Sequence, residues 1–265
     1  MTLPQVLVST ETQHDGAPAG RRDGSPHYTL LVAQNSDEVI AAQRLRHQVF
    51  AQEMGARLDS ILDGVDADSF DELCDHLVVR DDRSGDIVGT YRMLPPERAA
   101  EAGGLYADTE FDLTALDPLR STLVETGRSC VHPDHRSGAV VSLVWAGIAR
   151  YMLLTGHRYL AGCASVPLAG GGSYAAGVWD AVRAKHLSAD DRRVAPLHPW
   201  KFDDVEWPHR AVLPPLLRGY IRLGAKVCGP PAHDPAFGVA DFFVLLDLYT
   251  LDVRYLKYFL GLAVR

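Results

Sequence analysis

The sequence contains few of the residues and runs that mark several large classes of protein. Its four cysteines, Cys74, Cys130, Cys163 and Cys228, form no CxxC pair, and such wide spacing predicts reduced thiols in a cytoplasmic protein rather than a disulfide framework. Lysines and arginines number 26 against 34 aspartates and glutamates, so the chain has no overall positive field for nucleic acid. The N-terminus has no secretory signal pattern, and no uninterrupted apolar run approaches the roughly 18 residues of a membrane span.

Several catalytic motifs are also missing. The chain has no GxSxG nucleophile elbow, no HExxH metal motif, and neither GxGxxG nor GxxxxGK[ST]. Cys130 lies in a predicted strand, a position typical of core cysteines. His132 and His135 are separated by Pro133, and no Cys or His cluster completes a metal site around them. The sequence therefore predicts neither a covalent nucleophile nor a bound metal.

The chain is long enough to bury a substantial core. Its 265 residues are 47% hydrophobic, which suits one large domain or two small ones. Residues 1–26 are rich in polar residues, glycine and proline, and this composition predicts a disordered leader. A single domain is expected from 27 to 265.

The first part of this domain shows strand and helix signals in turn. "YTLLVA" from Tyr28 predicts a strand, and Asn35 follows as an N-cap with Glu38 in the capping-box position of a helix. "CDHLVVRD" and "DIVGTYRML" predict two further strands. The Arg, Ser and Gly at 83–85 between them are turn residues, so the pair is expected to form a hairpin.

The rest of the chain continues to show strand and helix signals in turn. A strand near Ser121 precedes "AVVSLVWAGIARYMLLTG", which predicts a buried helix ending at Gly156, and "RYLAGCAS" predicts the next strand. A helix over 172–186 follows, then an amphipathic helix around "LPPLLRGYIRLGAKV", a strand "VADFFVLLDL" and a last helix "VRYLKYFLGL". This order predicts an α/β sheet with at least one parallel crossover.

The turn between the strand near Ser121 and the buried helix has features of an anion site. Arg136 supplies positive charge, and Gly138 lets a ligand approach the backbone. The following helix presents unpaired N–H groups and the positive end of its dipole. An ordinary turn capped by Ser137 is the alternative.

Eight segments resemble, in order, one branch of the GNAT superfamily, the N-acyltransferases that include the bacterial ornithine-lipid synthases. The segments are "RLRHQVFAQEMGA", "FDELCDHLVVRD", "GDIVGTYRML", "GLYADTEFDL", "ETGRSCVHPDHRSG", "LVWAGIARYM", "RYLAGCAS" and "PPLLRGYIRLGAKVCGPPAHDPAFGVADFFVLL". The similarity runs from about Tyr28 almost to the C-terminus. A more distant resemblance connects the same motifs to the acyl-homoserine-lactone synthases.

The resemblance implies a GNAT fold. In that fold a mixed, mostly antiparallel sheet contains a splayed parallel pair and is flanked by helices, and a family-specific extension is expected from about residue 190. An acylated phosphopantetheine donor would lie at the splayed pair. The donor-binding residues implied are Val131, Arg136, Ser137, Gly138, Ala139 and Val140. The turn from Arg136 is shorter than the R/QxxGxG/A pattern of the wider superfamily, and it fits the single phosphate of a carrier-protein arm at least as well as coenzyme A.

Glu125 matches the acidic position of the family and is the implied general base. An amino group with a pKa near 8 is mostly protonated at neutral pH, so it must lose a proton before it attacks the thioester. The alternative role is an ion pair with Arg128. On an ideal strand Glu125 and Arg128 point to opposite faces, and a bulge would relax that geometry.

The remaining implied substrate-binding residues are Arg46, Phe50, Asp71, His76, Arg92 and Arg128. The arginines would clamp an amino-acid carboxylate or orient the acidic loop from Gly55 to Asp71, and structural salt bridges are the alternative. An ordinary solvent-exposed loop is an equally good interpretation of this acidic segment. His76 is a second base or a structural residue. Phe50, Phe70 and Trp145 either line an acyl channel or pack in the core.

The function implied is transfer of a 3-hydroxy fatty acyl group, or a similar acyl group, from acyl carrier protein to the amino group of ornithine or a related amino acid. This would be the first step of amino-acid-containing lipid synthesis. Two alternatives stay open: an acyl-CoA-dependent GNAT enzyme for a small amine, and a non-catalytic acyl-carrier-binding module. A peripheral membrane contact through the amphipathic helices near Leu213 and Asp252 is also compatible with the sequence.

Overall fold

The computed structural model describes residues 3, 5–10, 27–60, 62–136, 138–202, 205 and 211–251. The described chain separates into two units. The first contains the described residues up to Met93 together with Gly127–His157. The second contains Leu94–Thr126 and Arg158–Leu251. The region that the sequence predicts as a single domain has residues in both units, and its being a single domain stays a prediction.

Both units contain strands and helices. In chain order the strands of the described residues are β1 (Val6–Ser9), β2 (Tyr28–Val32), β3 (Asp75–Asp81), β4 (Ile87–Leu94), β5 (Phe111–Asp112), β6 (Leu123–Val131), β7 (Tyr159–Pro167), β8 (Ala195–Pro196), β9 (Lys226–Val227), β10 (Ala232–Asp234) and β11 (Val239–Asp247). The α-helices are α1 (Ser36–His47), α2 (Pro96–Glu101), α3 (Gly138–Thr155), α4 (Ser173–Lys185) and α5 (Pro215–Arg222).

The first unit is built on the antiparallel series β1, β2, β3 and β4, followed by β6. The predicted hairpin of β3 and β4 is confirmed, with Gly85 at φ +83° in its turn. Strand β1 departs from the expectation of a disordered leader, because its Leu7 side chain is buried and it pairs with β2. The rest of the predicted leader, 11–26, lies outside the described residues.

Helix α1 begins where the capping signal predicted. The Asn35 side chain accepts a hydrogen bond from Glu38 N at 3.0 Å. The Glu38 carboxylate accepts from Gln34 N at 2.7 Å, so the second half of the capping box reaches one residue further back than predicted. After His47 the helix widens into a π-helix, Gln48–Glu53, which no sequence pattern indicated.

Helix α3 is the buried helix that the apolar run predicted. It packs on β1, β2 and β3, and a Cβ atom on Gly147 would lie 2.5 Å from Leu30 Cδ2, so a larger residue at this position would require the Leu30 side chain to move. The helix ends at Thr155, and Gly156 follows at φ +74° as a left-handed C-cap. Within the described residues α3 has the length and apolar composition of a membrane span, a property that a buried core helix shares.

The second unit contains the parallel pair of the sheet. Three residues of β6 pair with β7, from Leu123 opposite Tyr159 to Glu125 opposite Ala161, and β7 pairs antiparallel with the whole of β11. These strands confirm the predicted mixed, mostly antiparallel sheet. A Cβ atom on Gly162 would lie 2.2 Å from the Thr126 carbonyl oxygen, so the backbones approach closely just beyond the last parallel pair.

One of the two helices predicted to contact a membrane is described. In helix α5 the side chains of Leu217 and Tyr220 are buried, and a membrane contact by its remaining face stays a prediction. The helix predicted near Asp252 lies outside the described residues.

Candidate active site

Strand β6 carries both the proposed base and an arginine in an unusual conformation. Arg128 has φ +51°, a left-handed value that residues other than glycine rarely adopt. Such a residue breaks the alternation of side chains along a strand, as a bulge does. Strand β6 therefore departs from ideal strand geometry at Arg128.

Glu125 is buried and its carboxylate is held by two backbone N–H groups. Tyr106 N donates to Oε2 at 2.5 Å, and Ala107 N donates to Oε1 at 2.8 Å. Both donors belong to the first turn of a 3-10 helix, Tyr106–Thr109. Glu125 therefore caps this turn, and the turn fixes the orientation of the carboxylate.

Arg46 is completely buried and holds the acidic segment in place. Its two Nη atoms donate to both carboxylate oxygens of Asp71 at 2.8 to 2.9 Å. Its Nη2 also donates to the Asp66 carbonyl, and its Nε lies 3.1 Å from Asp66 Oδ2. Because Arg46 has no exposed surface, this arrangement favours orientation of the acidic loop over a direct clamp on a substrate.

Arg92 and Arg128 bind the same acidic segment. Arg92 Nη1 donates to Asp68 Oδ1 at 2.6 Å and lies 3.5 Å from Asp71 Oδ1. Arg128 Nη2 donates to Asp68 Oδ2 at 3.3 Å, and its Nε lies 3.1 Å from Asp66 Oδ2. Since Asp66 and Asp71 are buried, the interpretation of this part of the loop as solvated is wrong.

His76 and Asp71 have shifted pKa values for different reasons. Burial opposes ionisation of Asp71, yet the Arg46 and Arg92 charges hold the pKa of its carboxyl below the usual value. Burial lowers the pKa of His76, although the Asp71 backbone and charge act in the opposite direction. His76 Nε2 lies 2.9 Å from the Asp71 carbonyl oxygen. A neutral His76 that supports the acidic segment is the role these contacts favour.

Arg136 of the predicted donor turn is paired with a glutamate from the π-helix. Its Nη1 and Nη2 donate to the two Glu53 carboxylate oxygens at 2.6 Å each, and its Nε donates to the Val131 carbonyl at 3.1 Å. Hydrogen bonds from Arg136 lower the pKa of Glu53. The pair is exposed to solvent, where an ion pair contributes little stability. A phosphate would therefore meet an arginine that already binds an internal carboxylate.

The start of α3 has the open backbone expected of a donor site. Gly138 and Ala139 are exposed, and Val140 is buried. A Cβ atom on Gly138 would meet no atom within 4 Å, so packing does not require glycine there. Ser137 lies outside the described residues.

The aromatic candidates differ in exposure. Phe50 is buried in the π-helix, whereas Phe70 and Trp145 are partly exposed. Arg92 stacks over the Phe70 ring with 5.9 Å between the guanidinium carbon and the ring centroid. These positions are compatible with core packing and with an acyl channel.

The cysteine and histidines beside the donor turn have structural contacts. Burial raises the pKa of Cys130 to about 12, so its thiol is protonated at neutral pH and is a poor nucleophile. His132 Nε2 lies 3.1 Å from Gln48 Nε2, and His135 Nδ1 lies 3.0 Å from the Tyr28 hydroxyl. The burial of Cys130 suits the core position predicted for it, and the two histidines have contacts that tie their loop to Gln48 and Tyr28.

A cluster of carboxylates in the second unit was not predicted from the sequence. Oxygens of Glu110, Asp234 and Asp241 lie within 4.8 Å of one another. Asp241 also accepts from the Ser165 hydroxyl at 2.5 Å. Burial, together with the Asp241 and Asp234 charges, raises the pKa of Glu110 to about 8. The three residues come from separate segments, so no local motif could have indicated them.

The raised pKa of Glu110 gives a pH-dependent prediction. The folded protein keeps this proton up to about pH 8, whereas the unfolded chain releases it near pH 4.5. The folded state binds more protons between these values, so the free energy of unfolding falls as pH rises through this window. Because glutamine does not ionise, Glu110→Gln is expected to raise the Tm by about 2–4 °C at pH 9.

The measurement is thermal unfolding from pH 5 to 9. At pH 5 the difference between Glu110→Gln and the original chain should nearly vanish, since Glu110 is protonated in the folded state. Glu101→Gln, at the exposed end of α2, is the control and should show no pH-dependent difference. A Tm difference for Glu110→Gln that is equal at all pH values would contradict the raised pKa.

Comparison with known proteins identifies the family. Residues 45–146 match the family described as "Acetyltransferase (GNAT) domain". The L-ornithine N(alpha)-acyltransferase of Brucella abortus is 36% identical over 248 residues, covering 87% of this chain and 88% of that protein. The enzyme of the same name from Agrobacterium fabrum is 34% identical over 285 residues, covering 98% of this chain and 94% of that protein.

A solved structure agrees with the fold. The CoA-dependent acyl-homoserine lactone synthase BjaI, solved with MTA, has a TM-score of 0.52 and 18% identity, covering 86% of this chain and 84% of that chain. At this identity the likeness shows the fold alone. The expected GNAT fold and the predicted distant similarity to these synthases are thereby confirmed. Since the two named relatives and this chain cover most of one another at more than 30% identity, the chain belongs to the L-ornithine N(alpha)-acyltransferase family of GNAT-type, amide-forming acyltransferases.

Proposed function

We propose that the protein transfers a 3-hydroxyacyl or similar fatty acyl group from acyl carrier protein to the α-amino group of ornithine. The observation that carries this proposal is the identity to L-ornithine N(alpha)-acyltransferases over most of both chains. In the reaction the amine nitrogen attacks the thioester carbonyl carbon, the C–S bond breaks, and the thiolate of the carrier arm leaves and takes up a proton. The product is an N-acyl amino acid, the first intermediate of an amino-acid-containing lipid.

Glu125 is the proposed general base. The ammonium form of the acceptor must lose a proton before attack, and a carboxylate can accept it directly or through one water molecule. The two N–H donors from Tyr106 and Ala107 occupy one lone pair on each oxygen, and each oxygen has a second one. The capping contacts therefore allow the Glu125 carboxylate to accept a proton, and they also fix the side from which the proton reaches it.

The charges of the second unit suit a cationic acceptor. Ornithine carries two ammonium groups and one carboxylate at neutral pH. Glu125 acts electrostatically on Glu110, and Asp234 and Asp241 do so as well. A concentration of carboxylates attracts a substrate with net positive charge and disfavours an anionic one. Ornithine should accordingly be preferred over amino acids with neutral side chains.

The arginines are proposed to act through the acidic segment. Arg46, Arg92 and Arg128 together hold the carboxylates of Asp66, Asp68 and Asp71. Their proposed role in acceptor binding is to fix the shape of this segment, with His76 as a further support. The partly exposed side chain of Arg128 is the one best placed among them to reach a substrate carboxylate.

The donor is proposed to bind at the start of α3. Unpaired N–H groups at the helix N-terminus and the charge of Arg136 attract a phosphate. Backbone N–H groups near Val131 are the proposed donors to the oxyanion of the tetrahedral intermediate. The short turn from Arg136 fits the single phosphate of a carrier-protein arm, which favours acyl carrier protein over coenzyme A.

Gly138 allows the donor site to be tested separately from stability. Because a Cβ atom there meets open space and helices prefer alanine to glycine, Gly138→Ala should not lower the Tm. If the donor phosphate approaches these N–H groups, added side-chain atoms should obstruct it. We expect the KM for the donor to rise about tenfold in Gly138→Val, the equivalent of one weakened charge-assisted hydrogen bond, and less in Gly138→Ala.

The readout is a steady-state titration of the acyl donor at saturating ornithine. The KM for ornithine serves as the internal control and should stay unchanged in both variants. A donor KM that is the same in Gly138→Val as in the original chain would place the donor phosphate elsewhere.

The proposed reaction is tested with purified protein, acyl carrier protein and coenzyme A thioesters of one fatty acid, and a panel of amines including ornithine, lysine and glycine. Free thiol and the mass of the N-acyl product are measured. The proposal expects both signals with ornithine, and higher kcat/KM with the carrier-protein donor. Absence of thiol release with every acceptor would refute it. Donor-dependent thermal protection without turnover would instead identify a non-catalytic binding module.

A further inference from the structure

Among the described residues of the first unit, several buried side-chain atoms have no hydrogen-bond partner, and two of them, His76 Nδ1 and Thr90 Oγ1, lie on neighbouring strands. His76 is 3% exposed and Thr90 is 1% exposed. An unpaired buried polar group destabilises a fold, and native proteins nearly always give such a group a partner, which can be a ligand or an ordered water. These two atoms therefore indicate a binding position.

The strand register places both residues on the same face of the sheet. His76 of β3 lies opposite Arg92 of β4, and Val78 lies opposite Thr90. Directly opposed residues of antiparallel strands point to the same side, so His76 and Thr90 are diagonal neighbours about 7–8 Å apart. One small polar group between the two side chains can reach both.

The chemistry of the two atoms defines that group. His76 Nε2 lies 2.9 Å from the Asp71 carbonyl oxygen, and only an N–H can pair with a carbonyl. Burial lowers the pKa of His76, so the ring is neutral and Nδ1 is an acceptor. The Thr90 hydroxyl can donate. A partner that satisfies both must donate to His76 and accept from Thr90, which a hydroxyl does, whereas a keto oxygen cannot donate and a methylene does neither.

The position along β4 connects the site to the donor turn. His132 N, directly after Val131, donates to the Val88 carbonyl at 2.8 Å. Val88 and Thr90 lie two residues apart along β4, a distance of about 7 Å. Thr90 is thus close to the end of β6 at which the donor is proposed to enter, where the thioester end of an acyl chain would pass.

We propose that His76 and Thr90 form a hydroxyl-binding site, which takes either the 3-hydroxyl group of the acyl donor or a buried water. The donor alternative rests on the proposed acyl transfer, and the water alternative does not. As a substrate site it would distinguish acyl chains that carry a hydroxyl group on C3, two carbons from the reacting carbonyl carbon, from chains that lack it. His76 and Thr90 would then be specificity-determining residues.

The experiment compares Thr90→Val, which removes the hydroxyl and keeps the shape, with Thr90→Ser, which keeps the hydroxyl. Two quantities are measured: the ratio of kcat/KM for 3-hydroxyacyl and unsubstituted donors of equal chain length, and the Tm without donor. If the donor supplies the hydroxyl, Thr90→Val should reduce the ratio by about tenfold and leave the Tm equal or higher. If water supplies it, the ratio should stay constant and the Tm should fall by about 2–4 °C.

Thr90→Ser should retain the larger part of both quantities in either case. An unchanged ratio together with an undiminished Tm in Thr90→Val would overturn the proposal. If no acceptor gives turnover, the kcat/KM ratio is replaced by a binding measurement. The rise in Tm produced by the 3-hydroxyacyl donor is then compared with the rise produced by the unsubstituted donor. Failure of the proposed reaction is thereby distinguished from failure of the hydroxyl site.

Discussion

Glu125→Gln is expected to lower kcat by about 10²–10⁴-fold, the usual contribution of a general base. Glutamine retains the shape of glutamate and one acceptor oxygen, but it cannot take up the ammonium proton. The loss should shrink as pH rises past the pKa of the acceptor amine, near 8, because solvent then supplies the free amine. Measurement of kcat between pH 6 and 10, with the Tm recorded alongside, gives both results.

The capping role of Glu125 requires a matched control. Asp108 supports the same 3-10 turn, since its Oδ2 accepts from Leu105 N at 2.7 Å, and it pairs with Arg120. Asp108→Asn should therefore lower the Tm and leave the pH dependence of kcat unchanged. If Glu125→Gln and Asp108→Asn lose activity in the same proportion to their loss of Tm, Glu125 is a structural cap and not the base.

Arg46→Met is expected to lower the free energy of unfolding by about 3–5 kcal/mol. Methionine fills a similar volume, but it removes the fully buried cation that pairs with both Asp66 and Asp71, and it leaves these carboxylates only Arg128 and Arg92, respectively. Removal of one partner of a buried ion pair is strongly destabilising because the remaining charge is desolvated. Urea or thermal denaturation gives the value, and activity should fall with the order of the acidic segment.

The same helix provides a control for this prediction. Arg44 lies two residues earlier in α1 and is exposed, so Arg44→Met should change stability by less than about 0.5 kcal/mol. Adding Asp71→Asn to Arg46→Met should recover part of the loss, because one buried charge is removed. Equal destabilisation by Arg46→Met and Arg44→Met would show that the buried charges do not stabilise the fold.

Local signals predicted the elements that depend on neighbours in the sequence. The cap at Asn35, the turn before β4 and the apolar helix α3 were found because each requires only a short stretch of chain. The parallel pair followed from element order. Strand β1 was missed because the polar composition of residues 1–26 outweighed the short apolar run around Leu7.

The contacts that could not be predicted from the sequence join residues that are far apart along the chain. Arg46, Arg92 and Arg128 were identified through family motifs, but nothing in those motifs says which aspartate each one binds. Glu53 pairs with Arg136 from 83 residues away. The raised pKa of Glu110 depends on burial and on carboxylates from other segments. Such properties arise from the packed structure and have no periodicity to detect.

The π-helix Gln48–Glu53 determines which side chains face the donor turn. In an α-helix, residues five apart point about 140° away from each other, whereas the i to i+5 bonding of a π-helix brings them to the same side. Gln48 and Glu53 are five apart, and they contact His132 and Arg136 of one loop. The wider turn thus accommodates one residue more than an α-helix would. Rewinding this segment as an α-helix with no residue removed would turn Gln48 and Glu53 about 140° away from each other and separate two contacts that now act on the same loop.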